Sequence, residues 1–205
     1  MDKKLFLFDC DGVLVDSLPV FEGTVRKTLA AIGRPILKSR ADFLDLFEDN
    51  FYAAIARKGV DLEAFIQASG PILARVDYTE MKPFPGLLPV VAALSLRHPL
   101  VVISSGDAKI VGKQLVHFGF DGHFADILGA DFLLSKIDKI NHAVLEFRVD
   151  RDQTYYVGDT TGDIREAKKA GVRTVAVTWG WHDRERLAPA GPDYLVDRPE
   201  ELLQI

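Results

Sequence analysis

The segment that most constrains this chain is residues 5–17, LFLFDCDGVLVDS, close to the amino terminus. Residues 5–8 are all apolar and predict a short buried strand. Asp9 and Asp11 follow directly, before Gly12. Two partly desolvated carboxylates this close repel each other unless a proton or a cation lies between them. A hard divalent cation such as Mg²⁺ takes oxygen ligands, so the pair indicates a metal site, with an ordinary acidic turn as the alternative.

The composition limits the classes of protein that this chain can form. With 205 residues, 48% apolar and 27% charged, it is long enough for one hydrophobic core or for a core with a small inserted domain. The net charge of −5 argues against binding of nucleic acid or of an anionic membrane. No apolar run approaches the roughly 20 residues of a membrane span. The single cysteine, Cys10, and the short polar start at residues 1–4 fit a cytoplasmic protein without a signal peptide.

Residues 17–82 lose the strand pattern and are predicted to be helical. A first helix is expected over residues 19–32. Further on, four apolar side chains recur at helical spacing: Leu44, Phe47, Phe51 and Ile55. More helix is expected over residues 62–76, with a break at Gly70 and Pro71. The helical block lies between two strand-bearing segments, which indicates an inserted domain.

Strands and helices alternate after residue 86. Strands are predicted over residues 100–104, 155–158, 174–178 and 194–196, and helices over residues 87–96, 110–118, 136–147 and 163–170. This alternation predicts an α/β fold, a doubly wound parallel sheet with helices on both faces. We expect residues 1–16 and 83–205 to form this core, and residues 17–82 to form a helical cap domain.

Polar residues follow three of the predicted strands. Asp9, Ser104 and Asp159 each lie at the carboxyl end of a strand, where ligands bind in sheets of this kind. The turn after Ser104 contains Ser105 and Gly106, whose N–H groups suit a phosphate. An ordinary turn between a strand and a helix is the alternative for that segment.

Two further charged groups belong to the same pattern. Asp159 and Asp163 bracket the start of a helix, so both can face the strand ends, although Asp163 could also serve as a plain helix cap. Lys136 precedes Asp159 by 23 residues, at the start of another helix, and could neutralise an aspartate and a phosphate together. Lys139 is nearby, and either lysine could instead lie exposed on the surface.

Taken in order, these residues resemble the four motifs of the haloacid dehalogenase-like superfamily. The four motifs are Asp9-x-Asp11-Gly12, Ser104, Lys136 and Gly158-Asp159-x-x-x-Asp163. The helical block after the first motif resembles the α-helical cap of the phosphatase branch. Residues 177–182, VTWGWH, and residues 191–197, GPDYLVD, are similar to phosphoglycolate phosphatases. One departure is that Ile137 follows Lys136 where those enzymes usually have proline.

The resemblance implies a catalytic role for each motif. Asp9 would be the nucleophile that takes the phosphoryl group, and Asp11 would be the general acid and base. Mg²⁺ would be held by the Asp9 carboxylate, the Asp11 backbone carbonyl and Asp159, with Asp163 acting around it or through water.

The resemblance also implies a set of groups that bind the phosphoryl oxygens. Besides the nucleophile, this set comprises Gly12, Ser104, Ser105, Gly106 and Lys136. The cap would close over the site and contact the leaving group. Its candidates for binding an acidic substrate are Lys38, Arg40, Arg57 and Arg75.

Three functions remain open from the sequence. The first is a Mg²⁺-dependent phosphatase that hydrolyses a small phosphorylated metabolite, with phosphoglycolate as a candidate. The second is a sugar phosphomutase on the same scaffold, and the third is a non-enzymatic phospho-receiver domain. Neither the substrate nor the oligomeric state is predicted.

Four residues near the motifs are expected to have no catalytic role. Cys10 should point away from the two aspartates as a small buried residue. Trp179 and Trp181 should line a loop near the strand ends or pack on the core. His182 has no evident partner and is expected to be a solvated loop residue.

Overall fold

The strands of the computed structural model form a parallel sheet with a short antiparallel pair beside it. The structure describes residues 3–133 and 135–205. Its strands, numbered in chain order, are β1 (Leu5–Phe8), β2 (Val15–Asp16), β3 (Lys82–Pro83), β4 (Leu100–Ile103), β5 (Asp126–Leu128), β6 (Thr154–Gly158), β7 (Arg173–Val177) and β8 (Tyr194–Val196). Within the described residues the main sheet has six strands, in the order β5-β4-β1-β6-β7-β8.

The position of β1 explains why the polar residues after the strands come together. Phe8 pairs with Val102 of β4 on one side and with Val157 of β6 on the other, both in parallel. The carboxyl ends of these three strands therefore lie side by side. The predicted α/β fold with a doubly wound parallel sheet is confirmed.

Helices cover both faces of the sheet, as the alternating sequence predicts. They are α1 (Leu18–Ala31), α2 (Arg40–Leu44), α3 (Phe51–Arg57), α4 (Leu62–Leu73), α5 (Leu87–Ser95), α6 (Ala108–His117), α7 (Lys136–Phe147), α8 (Thr161–Lys169) and α9 (Arg184–Leu187). Phe6 and Phe8 of β1 pack in the cluster that includes α5 and α6, and Leu5 and Leu7 pack in the cluster that includes α7 and α8. Successive side chains of a strand point to opposite faces of the sheet, so β1 is buried on both faces.

The four helices α1–α4 form a separate cluster above the carboxyl edge of the sheet. Leu29, Phe43, Leu46 and Ile55 are fully buried there. The chain enters and leaves this helical segment through the antiparallel pair β2–β3, in which Asp16 is opposite Lys82. The two strands that connect the helical segment to the core therefore lie side by side, next to the predicted boundaries at residues 17 and 82.

The helical segment differs from its sequence prediction in two places. The expected stripe over residues 44–55 is divided between α2, a short 3₁₀ helix at Asp45–Glu48, and α3. Asn50 ends the continuity because its side chain caps α3 by accepting from the Ala53 N–H at 3.2 Å. The predicted break at Gly70 and Pro71 is wrong, since α4 runs to Leu73. Pro71 lies so close to the end of the helix that its missing N–H affects only the last turn.

Among the described residues, no helix is long and apolar enough to cross a lipid bilayer.

Candidate active site

A small cavity lies between the carboxyl edge of the sheet and the helical segment. Its volume is about 50 Å³, which is room for a few water molecules at most. From the core it is lined by Asp9, Asp11, Ser105, Lys136, Asp159 and Asp163. Residues that are far apart in sequence are thus gathered on one wall.

Lys136 is the first residue of α7 and reaches directly into the acidic cluster. Its Nζ lies 2.7 Å from Asp9 Oδ2 and 2.6 Å from Asp163 Oδ1. Burial disfavours the charged form, but the charges of Asp163 and Asp9 outweigh it and raise the pKa of Lys136 well above its ordinary value. Of the two lysines that the sequence left open, Lys136 is the one that contacts Asp9.

Asp9 has both carboxylate oxygens engaged. Its Oδ2 accepts from Lys136, and its Oδ1 accepts from the Cys10 N–H at 2.8 Å. Burial raises the pKa of Asp9, with Lys136 opposing and Asp163 adding to the rise. Cys10 itself is buried in the core cluster, as expected.

Lys139, one turn further along α7, is fully buried, so the alternative that it lies exposed on the surface is wrong. Its Nζ donates to the Ser104 carbonyl oxygen at 2.6 Å. Burial, followed by the charge of Lys136, lowers the pKa of Lys139 to about 8. The apolar spacing of α7 turns this position toward the sheet, where a lysine is rare.

Asp159 follows β6 and is completely buried. Its Oδ2 accepts from the Trp181 N–H at 2.7 Å, whereas its Oδ1 has no hydrogen-bond partner among the described residues. Burial, together with the charges of Asp163 and Asp9, raises the pKa of Asp159 well above its ordinary value. An unpartnered oxygen of this kind, in an acidic cluster, fits a cation.

Asp163 has two roles: it forms an ion pair with Lys136, and it caps the start of α8. Its Oδ2 accepts from Thr160 Oγ1 at 2.6 Å and from the Thr160 N–H at 3.1 Å, and Thr160 Oγ1 accepts from the Asp163 N–H in return. This reciprocal cap starts the helix at Thr161, two residues before the predicted start. Burial raises the pKa of Asp163, but the charge of Lys136 outweighs it, so the net shift is downward.

The three buried carboxylates can meet at one point. One oxygen each from Asp9, Asp159 and Asp163 lie within 4.8 Å of one another. The oxygen donors and the unpartnered Asp159 Oδ1 fit a hard divalent cation. Both oxygens of Asp163, like those of Asp9, also accept hydrogen bonds from protein groups, here Lys136 and Thr160.

Part of the predicted phosphate-binding set is engaged elsewhere in the protein. The Gly106 N–H donates to Ser104 Oγ at 3.0 Å, and the Gly12 N–H donates to the Val15 carbonyl at 2.9 Å. Ser104 is fully buried, and Ser105 is the residue of this turn that lines the cavity.

Gly12 is needed for a different reason than phosphate binding. Its φ is +78°, and a Cβ there would lie 2.0 Å from Asp159 Oδ2. Only glycine allows the first turn to approach the buried aspartate this closely.

The helical segment presents aromatic rings and amide groups to the cavity. Phe21, Phe47, Phe51 and Tyr52 line it with Asn50. Trp181, from the core, packs among these rings, with its ring centroid 4.7 Å from that of Phe47.

The four cations that the sequence offers as candidates for binding an acidic substrate lie outside the cavity in this closed arrangement. None of the four lines the cavity among the described residues. Arg40 lies 2.8 Å from Glu22, and Arg57 lies 3.1 Å from Asp49. Lys38 is exposed, and Arg75 lines a separate groove between α1 and α4.

His182 is fully buried, so its expected place in a solvated loop is wrong. Its Nδ1 accepts from the Thr161 N–H at 3.2 Å, and its Nε2 lies 3.0 Å from the Leu44 carbonyl. This geometry fixes the tautomer with the proton on Nε2, and the ring connects α8 to the helical segment. Burial lowers the pKa of His182. The sequence carried one indication that His182 lies near the site: residues 179–182 follow β7, and β7 is the neighbour of β6 in the sheet.

The fold and the acidic cluster define an α/β enzyme with its site beneath a helical insertion. The family model for haloacid dehalogenase-like hydrolases matches residues 6–177. The chain belongs to this family and is a hydrolase. Because the chain belongs to a family of enzymes, the alternative of a non-enzymatic phospho-receiver domain is wrong.

Individual relatives agree with this family. A phosphoglycolate phosphatase from Synechococcus elongatus is 31% identical, over 98% of this chain and 96% of that protein. A phosphoglycolate phosphatase from Vibrio parahaemolyticus is 27% identical, over 100% and 96% of the two chains. A haloacid dehalogenase-like hydrolase from Streptococcus pneumoniae shares the fold with a TM-score of 0.82 at 23% identity, over 98% and 97% of the chains. The chain is accordingly similar to the phosphatases of the family.

Proposed function

We propose that this protein is a Mg²⁺-dependent phosphatase that hydrolyses a small phosphorylated metabolite through an aspartyl-phosphate on Asp9. The observation that carries the proposal is the contact of Lys136 Nζ with Asp9 Oδ2, inside a cavity that Asp11 and Asp159 also line. The names of the curated relatives make phosphoglycolate the first metabolite to assay.

Asp9 is the nucleophile in this proposal. Lys136 and the Cys10 N–H hold one oxygen each, so the carboxylate has a fixed orientation before the substrate arrives. A carboxylate oxygen attacks phosphorus, the bond from phosphorus to the ester oxygen breaks, and the alcohol leaves with a proton. Water then attacks the phosphorus of the acyl phosphate, and inorganic phosphate and free Asp9 are formed.

Asp11 supplies and removes the protons. It lines the same cavity two residues after Asp9. Burial raises the pKa of Asp11, with the Ser17 hydroxyl and Lys136 opposing, and this rise favours the protonated form that a general acid needs. After giving its proton to the leaving alcohol, the ionised carboxylate accepts one from the attacking water.

Asp9, Asp159 and the Asp11 carbonyl would hold Mg²⁺, with Asp163 orienting Lys136 beside them. When bound, the ion supplies neutralisation of the carboxylates and of the phosphoryl oxygens. We further propose that residues 17–82 act as the cap that excludes bulk water during turnover.

The test is a screen of phosphorylated metabolites and p-nitrophenyl phosphate, with Mg²⁺ and with EDTA. The proposal expects release of inorganic phosphate that depends on Mg²⁺ and is lost in Asp9→Asn. Full turnover after complete removal of the metal would contradict it. A sugar phosphomutase would instead return the phosphoryl group to a sugar, and analysis of the products with a sugar phosphate separates the two functions.

A further inference from the structure

The charged residues that line the cavity determine which leaving groups it can accept. The leaving group is the part of the substrate that would face the helical segment. Among the described residues that line the cavity, Lys136 is the one cation, and it is already shared between Asp9 and Asp163. Two carboxylates line the cavity where the helical segment meets α8, Asp49 of the helical segment and Glu166 of α8.

Both carboxylates are held in place by neighbours. Glu166 is buried, and its Oε1 accepts from Asn50 Nδ2 at 3.3 Å. Asp49 accepts from Arg57, whose side chain points into solvent and does not line the cavity. The remaining wall is aromatic.

A carboxylate on the leaving group would lose its water against this wall. It would meet two like charges and no free cation, an arrangement that disfavours the ionised form. A hydroxyl or a methylene group would not be repelled, and Asn50 offers a polar partner for a hydroxyl.

From this wall we infer that the substrate is the phosphate ester of a small alcohol that carries no negative charge, and that phosphoglycolate is a poor substrate. The inference rests on the proposed phosphatase function and narrows it.

Three esters of similar size and different charge test the inference: 2-hydroxyethyl phosphate, phosphoglycolate and 2-aminoethyl phosphate. We expect kcat/KM for 2-hydroxyethyl phosphate to exceed that for phosphoglycolate by about tenfold or more. Asp49→Asn and Glu166→Gln should each raise the relative rate with phosphoglycolate. Glu48→Gln, an exposed neighbour outside the cavity, is the matched control and should leave the ratio unchanged.

Equal or faster hydrolysis of phosphoglycolate than of the other two esters would overturn the inference and leave the phosphatase function standing. Absence of turnover with all three esters and with p-nitrophenyl phosphate would overturn the function itself.

A second inference comes from Lys139, which the proposed mechanism does not use. A fully buried ammonium group is costly, and no carboxylate among the described residues forms an ion pair with it. Its hydrogen bond goes to the carbonyl of Ser104, at 2.6 Å. The same turn carries Ser105, which lines the cavity.

The geometry of one peptide unit connects these two observations. In a trans peptide the C=O of Ser104 and the N–H of Ser105 point in opposite directions. An ammonium group that holds the carbonyl from inside therefore directs the N–H outward. The Ser105 N–H donates to no described residue, and a cation on the carbonyl polarises the peptide and strengthens that donor.

We propose that Lys139 is a positioning residue, which orients and polarises the Ser105 N–H toward the phosphoryl oxygens. Its loss should affect the transition state more than the ground state, because charge on those oxygens develops during transfer. This proposal also rests on the phosphatase function.

The test compares Lys139→Met and Lys139→Gln with the wild type, using p-nitrophenyl phosphate and orthovanadate, a mimic of the transition state. We expect kcat to fall in the order wild type, Gln, Met, by up to roughly 10²-fold. Inhibition by vanadate should weaken in parallel, with little change in KM. Lys109→Met, an exposed position on the neighbouring α6, is the control for a lost charge.

If Lys139→Met changes only KM or thermal stability, and leaves kcat and vanadate inhibition unchanged, the proposal is overturned and Lys139 has a purely structural role. If Lys139→Met does not fold, Lys139→Gln decides, because it removes the charge and keeps a neutral donor, on a side chain one bond shorter. A complete lack of activity in the wild type would overturn the phosphatase function instead.

Discussion

The two aspartates of the first turn differ in what surrounds them. Asp9 is fixed by Lys136 and by the Cys10 N–H, whereas Asp11 lines the cavity without an ion pair among the described residues. A fixed group suits bond formation to phosphorus, and a free one suits proton transfer. This contrast leads to a separate prediction for each residue.

Asp9→Asn should remove all measurable turnover, because an amide cannot form the acyl phosphate. The substitution is nearly isosteric and relieves repulsion in the acidic cluster, so the apo protein should unfold at the same or a higher temperature. Phosphate release and calorimetry measure the two effects. Residual turnover in Asp9→Asn above the level of a heat-denatured control would assign the nucleophile to another residue.

Asp11→Asn should slow hydrolysis of alkyl phosphates by roughly 10²–10⁴-fold, the usual contribution of general acid–base catalysis. Formation of the phosphorylated enzyme from p-nitrophenyl phosphate should be slowed less, because that leaving group needs no proton. Rapid quench with labelled substrate should then trap phosphate on Asp9. Loss of all phosphoryl transfer to the protein in Asp11→Asn, with activity kept in Asp9→Asn, would show that the roles are reversed.

At the scale of elements, α8 packs directly against the helical segment. Gly162 lies in its first turn, and a Cβ there would lie 2.8 Å from the carbonyl oxygens of Phe47 and Asp49. The Asn50 side chain meets Glu166 of the same helix. Closure of the helical segment therefore depends on a helix with no side chain at that position.

Gly162→Ala should hold the helical segment away from the sheet without unfolding the core. Alanine favours a helix over glycine by about 1 kcal/mol, so α8 itself should become more stable. We expect kcat/KM to fall while the melting temperature is unchanged or higher. Gly23→Ala in α1, where a Cβ would meet nothing within 4 Å, is the control and should keep full activity.

Glu22 connects α1 to the start of α2. It lies 2.9 Å from Arg26 and 2.8 Å from Arg40. Burial alone would raise the pKa of Glu22, but the hydrogen bonds and charges of Arg40 and Arg26 outweigh it and lower the pKa. A lowered pKa means that this stability is present above the ordinary value for glutamate, and is lost as the pH falls through the lowered value.

Glu22→Gln should therefore reduce the free energy of unfolding at pH 7, by roughly 0.5–1 kcal/mol for a pair that is only partly buried. The difference from the wild type should vanish at acidic pH, once Glu22 is protonated in the folded protein. Urea unfolding across this pH range measures it. A difference that stays constant with pH would mean that packing, not charge, is responsible.

For the whole molecule, the acidic cluster links metal binding to stability. Asp9 follows β1, whereas Asp159 and Asp163 lie after β6, so the three carboxylates meet only in the folded protein. A ligand that binds only the folded state stabilises it by mass action. The cluster should therefore be visible in unfolding experiments without any substrate.

Mg²⁺ should raise the melting temperature of the wild type in a concentration-dependent way, and Asp159→Asn should abolish this rise. Ca²⁺ should also bind but inhibit turnover, because its looser geometry misplaces the attacking carboxylate. Asp183→Asn, a carboxylate outside the cavity, is the control for a lost negative charge. A melting temperature that does not respond to Mg²⁺ would contradict the proposed metal site.

The sequence by itself determined the α/β fold, the order of strands and helices around the motifs, and the family. Apolar periodicity and the polar residues after β1, β4 and β6 are local signals, and parallel pairing places all carboxyl strand ends on one edge. Only the tertiary structure decided which lysine contacts Asp9, that His182 and Lys139 are buried, and that the cations of the helical segment lie away from the cavity. Those facts depend on how helices from distant parts of the chain pack together, and the spacing of residues along one helix carries no information about its neighbours.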